Sequence, residues 1–124
     1  MNKTLEEILF MKFPNLYSRG LDFGFQCNDG WFLLLWHLSA KLEPLGVTVS
    51  QAKQKFGNLR VYLDYNKRPS ADAYALIQGT EQSSKTTCED CGQPGELSEL
   101  YHWWATLCKP CYNMRKERRG HAHP

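Results

Sequence analysis

The chain has 124 residues, 42% of them hydrophobic and 23% charged, with a net charge of +2 at pH 7. That length suits one small domain, or a domain fused to a metal-stapled appendage, and the balance is that of an ordinary globular chain. Four Trp, six Tyr and six Phe argue for a packed core over disorder, and a charge of +2 is too small to imply nucleic-acid binding by itself.

The start, Met1-Asn2-Lys3-Thr4-Leu5-Glu6-Glu7, is polar and acidic where a secretory signal needs an apolar run. Thr4 is placed to cap a first helix over 4–12, with Glu6 and Glu7 in the turn where the helix dipole favours acids. Leu5, Ile8, Leu9 and Lys12 follow helical spacing, and Pro14 ends the run. Residues 14–30 read as an irregular connection rich in Gly and aromatics. A second helix is predicted over 29–43, where Trp31, Leu34, Leu35, Leu38 and Leu42 make an apolar stripe before Pro44 and Gly46 stop it. The longest apolar run, Trp31 to Trp36, is too short to span a bilayer. Cys27 has no partner by spacing and reads as core filler, although His37 or His102 would be the base if it were a nucleophile.

Residues 47–66 predict a hairpin turning at Gly57-Asn58, a type II′ pattern. In that register Phe56 opposes Leu59, Lys55 opposes Arg60 and Lys53 opposes Tyr62. Phe56, Leu59, Val61, Leu63 and Tyr65 then form a core face, and Lys53, Lys55, Arg60 and Tyr62 a basic face able to meet phosphate or acidic side chains; a solvated face accounts for it equally well. Ser70 is the expected N-cap of a third helix over 70–83, with Ala73, Leu76, Ile77 and Thr80 inward.

The densest chemistry is C-terminal. Cys88-x-x-Cys91 and Cys108-x-x-Cys111 are separated by sixteen residues. Two such pairs converge on one ion, and four thiolates fill a tetrahedron with no open position, so one structural Zn2+ is expected. A redox pair or an iron–sulfur site would use the same residue type. Gly92 as the turn of a knuckle, a hairpin over Leu97–Thr106 and a helix opening around Pro110 and running to about Arg119 predict a treble-clef-like finger. The expected fold is α+β: a helix and β-hairpin body over 1–86, a four-cysteine zinc finger over 87–119 and a loose tail over 120–124. Trp103 and Trp104 put aromatics on the finger, and Lys109, Arg115, Lys116, Arg118 and Arg119 face only Glu117 in its last helix. These residues could dock the finger on the body or meet a partner. A closed site and the lack of a positioned catalytic set predict a non-enzymatic chain, and cysteines in metal-binding spacing predict a cytosolic one.

The strings Cys27-Asn28-Asp29-Gly30-Trp31-Phe32, Lys55-Phe56-Gly57-Asn58-Leu59-Arg60-Val61-Tyr62 and Cys88-Glu89-Asp90-Cys91-Gly92-Gln93-Pro94-Gly95 resemble a family of small proteins encoded by tailed bacteriophages and prophages. The likeness spans about residues 27 to 111. It implies a phage accessory product in the host cytoplasm, with no implied reaction. The finger alone also resembles that of the DksA/TraR regulators of RNA polymerase, but their long coiled coil with its acidic tip is lacking here. The combined expectation is a zinc-stabilised module that binds a host protein or nucleoprotein complex and modulates or inhibits it, with anti-defence action included. The alternative is a nucleic-acid-binding regulator using Lys53, Lys55, Arg60, Tyr62 and the Arg115–Arg119 segment.

Overall fold

A computed structural model describes residues 1–64 and 70–122, with side chains through Arg118. The fold is α+β, with four α-helices and two small sheets among the described residues and the paired cysteines gathered near the C-terminus. The expected Tyr65, Asn66 and Arg119 side-chain positions, and His123 and Pro124, lie outside the described residues.

Helix α1 spans Lys3–Lys12. Its N-cap is Asn2, not Thr4: the Asn2 side chain accepts the Thr4 amide at 2.7 Å, and Asn2 is itself held by Asp29, which accepts its amide at 2.7 Å. Leu9 and Phe13, four residues apart, carry the inward face, whereas Ile8 is 40% exposed. The 14–30 segment is not wholly irregular. Phe25–Gln26 forms a two-residue strand, β1, parallel to β2. Glu6 on α1 steadies it by accepting the Phe25 amide at 2.6 Å. A 3-10 turn at Asp29–Trp31 leads into α2, Phe32–Leu42, and Trp31, Leu35, Leu38 and Leu42 are all buried as their spacing dictates.

Strands β2 (Val49–Lys55) and β3 (Asn58–Leu63) form the hairpin, and the sheet order is β1-β2-β3. The turn lies one residue earlier than predicted, so each pairing shifts by two residues and the faces are kept. Lys55 opposes Asn58, Lys53 opposes Arg60 and Ala52 opposes Val61. The turn is therefore Phe56-Gly57, with φ of 52° and 87°, the double positive φ of a type I′ turn. Phe56 leaves the core face and stands 70% exposed. Alternation still buries Leu59, Val61 and Leu63 and leaves Lys53, Lys55, Arg60 and Tyr62 on the other face. A bulge at Ser50, between the Val49 and Gln51 pairings, resets the phase before Leu63.

Helix α3, Ala71–Ser84, is capped by Ser70, whose hydroxyl accepts the Ala73 amide at 3.2 Å. It covers the outer edge of β3. Ser84 Oγ accepts the Leu59 amide at 2.9 Å, and Glu81 accepts that of Val61 at 3.1 Å, so two edge donors find partners without a fourth strand. The C-terminal hairpin pairs β4 (Glu96–Leu100) with β5 (Trp103–Leu107), and α4 follows over Lys109–Ala122. Residues 120–122 thus continue the helix where the sequence reads as a loose tail. No helix among the described residues is long and apolar enough to cross a membrane.

Two outcomes follow from this core. Ser84→Ala strands the buried Leu59 amide and is expected to cost about 1–3 kcal/mol in urea unfolding; an unchanged midpoint would contradict the edge-cap role. Cys27 is buried, and burial, then Glu89, push its thiol up to about 12. A raised acid contributes stability that is complete below its unfolded value near 9 and is lost as pH climbs through the folded value. Cys27→Ala should therefore flatten the alkaline loss by about 2–3 kcal/mol at about pH 11, measured by denaturation under reductant. The Tyr17 hydroxyl, also raised to about 12 by burial, retains part of the slope.

Candidate metal centre and adjoining surface

Each cysteine pair is presented by a different local structure. After α3 the chain makes a knuckle: the Cys88 amide donates to Gln93 O at 2.7 Å and the Gly92 amide to Cys88 O at 2.9 Å, with Gly92 at φ 83°. Cys108 stands at the seam between β5 and α4, and Cys111 in the first turn of α4, where Pro110 lacks only a donor that would have been unpaired. Knuckle, hairpin and helix together make the treble-clef arrangement. The four sulfurs lie within 4.8 Å of one another, and Cys91 Sγ is 3.6 Å from Cys108 Sγ. A tetrahedral ion with sulfur ligands at about 2.3 Å needs sulfurs about 3.8 Å apart, so this set can hold one metal ion.

The electrostatics ask for a cation. Burial raises Cys88, but backbone hydrogen bonds at Cys108, Cys91 and Asp90 outweigh it and bring the thiol down to about 7. Burial and the neighbouring thiols push Cys111 up. At Cys91 the Gln93 amide lowers the thiol, yet burial and the Cys108 and Cys88 thiols raise it overall. Four thiolates repel one another at these distances, and a divalent ion removes that opposition.

Residues between the ligands tie the centre to the body, and sequence reasoning missed them. Glu89 is 4% exposed. Its carbonyl accepts the Gly30 amide at 2.7 Å, and its carboxylate accepts the Asn28 amide at 3.1 Å. A Cβ on Gly30 would collide with the Cys88 and Glu89 backbone, so only glycine permits this approach. Trp31, fully buried, donates its indole N–H to Thr87 O at 2.9 Å. Asp90 accepts Asn28 Nδ2 at 2.7 Å and takes a two-pronged hydrogen bond from Arg115 of α4. Asp90 is consequently held below its ordinary range: burial would raise it, and the Arg115 and Asn28 hydrogen bonds prevail. The nearness of Asn28-Asp29-Gly30 to Cys88-Glu89-Asp90-Cys91 left no periodic signal.

The other sequence candidates divide among several surfaces. Lys53 Nζ lies 5.9 Å from the centre of the Tyr62 ring, and Arg60 is 3.7 Å from Glu81 of α3. Lys55 is exposed beside Phe56. Arg115 is engaged by Asp90 and lies 3.8 Å from Glu89. Lys116 and Arg118 are exposed on α4. Trp103 and Trp104 are 68% and 42% exposed, and with Arg115 and Arg118 they line one cleft of about 360 Å³. Lys53, Lys55, Arg60 and Tyr62 do not reach that cleft. Cys27 lies in the core, His37 is exposed, and the His102 side chain is 98% exposed at the β4–β5 tip.

Chelation is expected to remove amide protection across 88–118 while β2 and β3 keep theirs, as read by hydrogen exchange. Under the same conditions four thiols should react with an exposed-thiol reagent and Cys27 should not. Simultaneous reaction of all five, or of none, would contradict this division. No family model matches this chain, and neither a search of curated proteins nor one of solved structures returns a match.

Proposed function

We propose that this chain is a non-catalytic, zinc-stabilised protein-binding module, a bacteriophage accessory factor that docks on a host macromolecular complex and modulates or inhibits it. Zinc is the ion favoured by four cysteine sulfurs at tetrahedral spacing, and with all four positions filled it acts as scaffold. The bacteriophage setting rests on the sequence resemblance over residues 27 to 111.

The observation that carries the binding role is the chemistry of two turns. Phe56-Gly57 and Tyr101-His102 both occupy the left-handed region, with Phe56 at φ 52°, Tyr101 at 51° and His102 at 70°. Such turns favour Asn and Gly, and a bulky residue there costs about 1 kcal/mol. The cost is not recovered by burial, because Phe56 is 70% and Tyr101 45% exposed.

The turns belong to one surface. Gly57 rests against Leu97 and Ala105, Thr106 Oγ1 donates to Gly57 O at 2.8 Å, and Gln54 Nε2 donates to Trp104 O at 2.8 Å. Phe56 at the body turn, and Leu97, Tyr101, Trp103 and Trp104 on the finger hairpin that docks beside it, are thus large apolar side chains left exposed around one junction. Aromatic anchors of this kind dominate protein interfaces. Nucleic acid is less well served, because Arg60 and Arg115 already face Glu81 and Asp90.

Phe56→Asn is expected to raise stability by about 1 kcal/mol, since asparagine suits the turn, yet to weaken partner capture. Affinity purification from the bacterial host, after nuclease treatment, should retain a specific protein with the native chain. Trp104→Ala should lose it and Phe56→Asn should reduce it. Capture of nothing specific, or of material wholly sensitive to nuclease, would overturn the reading.

A further inference from the structure

The cleft between β5 and α4 has a chemistry that narrows the partner. Its floor is apolar and buried, with Leu100 8% and Ala105 3% exposed. Trp103 and Trp104 stand along β5, and Arg115 and Arg118, three residues apart on α4, form the facing wall. A volume of about 360 Å³ is near the lower bound of ligand pockets and accommodates one or two side chains.

The two arginines are not equivalent. Arg115 commits Nε and Nη2 to Asp90, which fixes its plane. Arg118 acts on Asp90 only through space, makes no hydrogen bond or ion pair among the described residues and is exposed at the mouth. A fixed guanidinium beside one whose donors are open, above an apolar floor, suits a carboxylate attached to an apolar segment. Stacked bases fit less well. Adjacent strand residues point to opposite faces, so Trp103 and Trp104 cannot make a parallel platform for successive bases. A phosphate backbone would also need a track of cations, and this cleft offers one beyond the Arg115–Asp90 pair.

We propose that the β5–α4 cleft receives an acidic peptide segment of the partner, in which an apolar side chain packs on the Leu100 and Ala105 floor and a neighbouring Asp or Glu pairs with Arg118. This rests on the protein-binding reading above and names the chemistry of its partner.

The zinc-loaded full chain, with labelled tryptophan indoles, can be titrated with three probes: a capped Asp-Glu-Leu-Glu-Asp peptide, its lysine counterpart Lys-Lys-Leu-Lys-Lys, and oligothymidylate. The acidic peptide should shift the Trp103 and Trp104 indole signals, with an affinity that falls as salt rises. Arg118→Glu, on an exposed helix position, should weaken that peptide by about tenfold and favour the lysine peptide, with zinc content unchanged. Equal binding of both peptides, shifts from oligothymidylate alone, or no indole shift would overturn the proposal. If Trp104→Ala abolishes host-protein capture while Arg118→Glu leaves it intact, the docking face stands and the acidic occupant falls.

Discussion

The C-terminal third of this protein gathers four sulfurs within reach of one ion, and it has little apolar burial of its own to fix their positions. Its own apolar cluster consists of buried Cys88, Ala105 and Leu107, with Cys108, Cys111 and Tyr112 partly covered against them. One leucine and one alanine contribute a few kcal/mol by burial, roughly 2–3 for the larger side chain. A structural zinc contributes on the order of 10 kcal/mol to a finger of this size. An ion held by these four sulfurs would therefore decide whether β5 and α4 stand at a fixed angle, and both walls of the Trp103–Arg118 cleft belong to those two elements.

The same knuckle that presents Cys88 and Cys91 also joins finger to body. Glu89 and Asp90 lie between the ligands and accept hydrogen bonds from Asn28, Gly30 and Arg115. A buried carboxylate is costly unless its lone pairs are filled, and Glu89 is served by Asn28 and Gln54 while Arg115 lies close by. All buried side-chain polar atoms among the described residues have partners. Exposed apolar side chains flank this junction: Phe56 comes from the body and Leu97 and Trp104 from the finger.

Much of this was legible where the determinants are local. The α2 stripe from Trp31 to Leu42, the Ser70 cap and the Cys-x-x-Cys spacing each follow from residues within a turn or two of one another. The strand β1 was not legible, since two residues show no alternation and their partners, Ala52 and Lys53, lie 27 positions away. The hairpin register failed for a related reason. Gly57-Asn58 satisfies one turn type and Phe56-Gly57 another, and the docking of Gly57 against Leu97 and Ala105 accompanies the second. Charge was the least transparent feature. Arg60 and Arg115 look like available cations in sequence and are engaged by Glu81 and Asp90 in the fold, whereas Arg118 on the same helix as Arg115 keeps its donors open. Phe56 shows the same limit from the apolar side, because a hydrophobic residue in a strand-like run reads as core until the turn position is known.

Zinc-edge X-ray absorption on the protein purified without added metal, paired with elemental analysis, bears most directly on the sulfur cluster. One zinc per chain with a first shell of four sulfurs at about 2.3 Å is the predicted result. A substoichiometric metal content, or a shell with nitrogen or oxygen in place of any of the four sulfurs, would contradict the account.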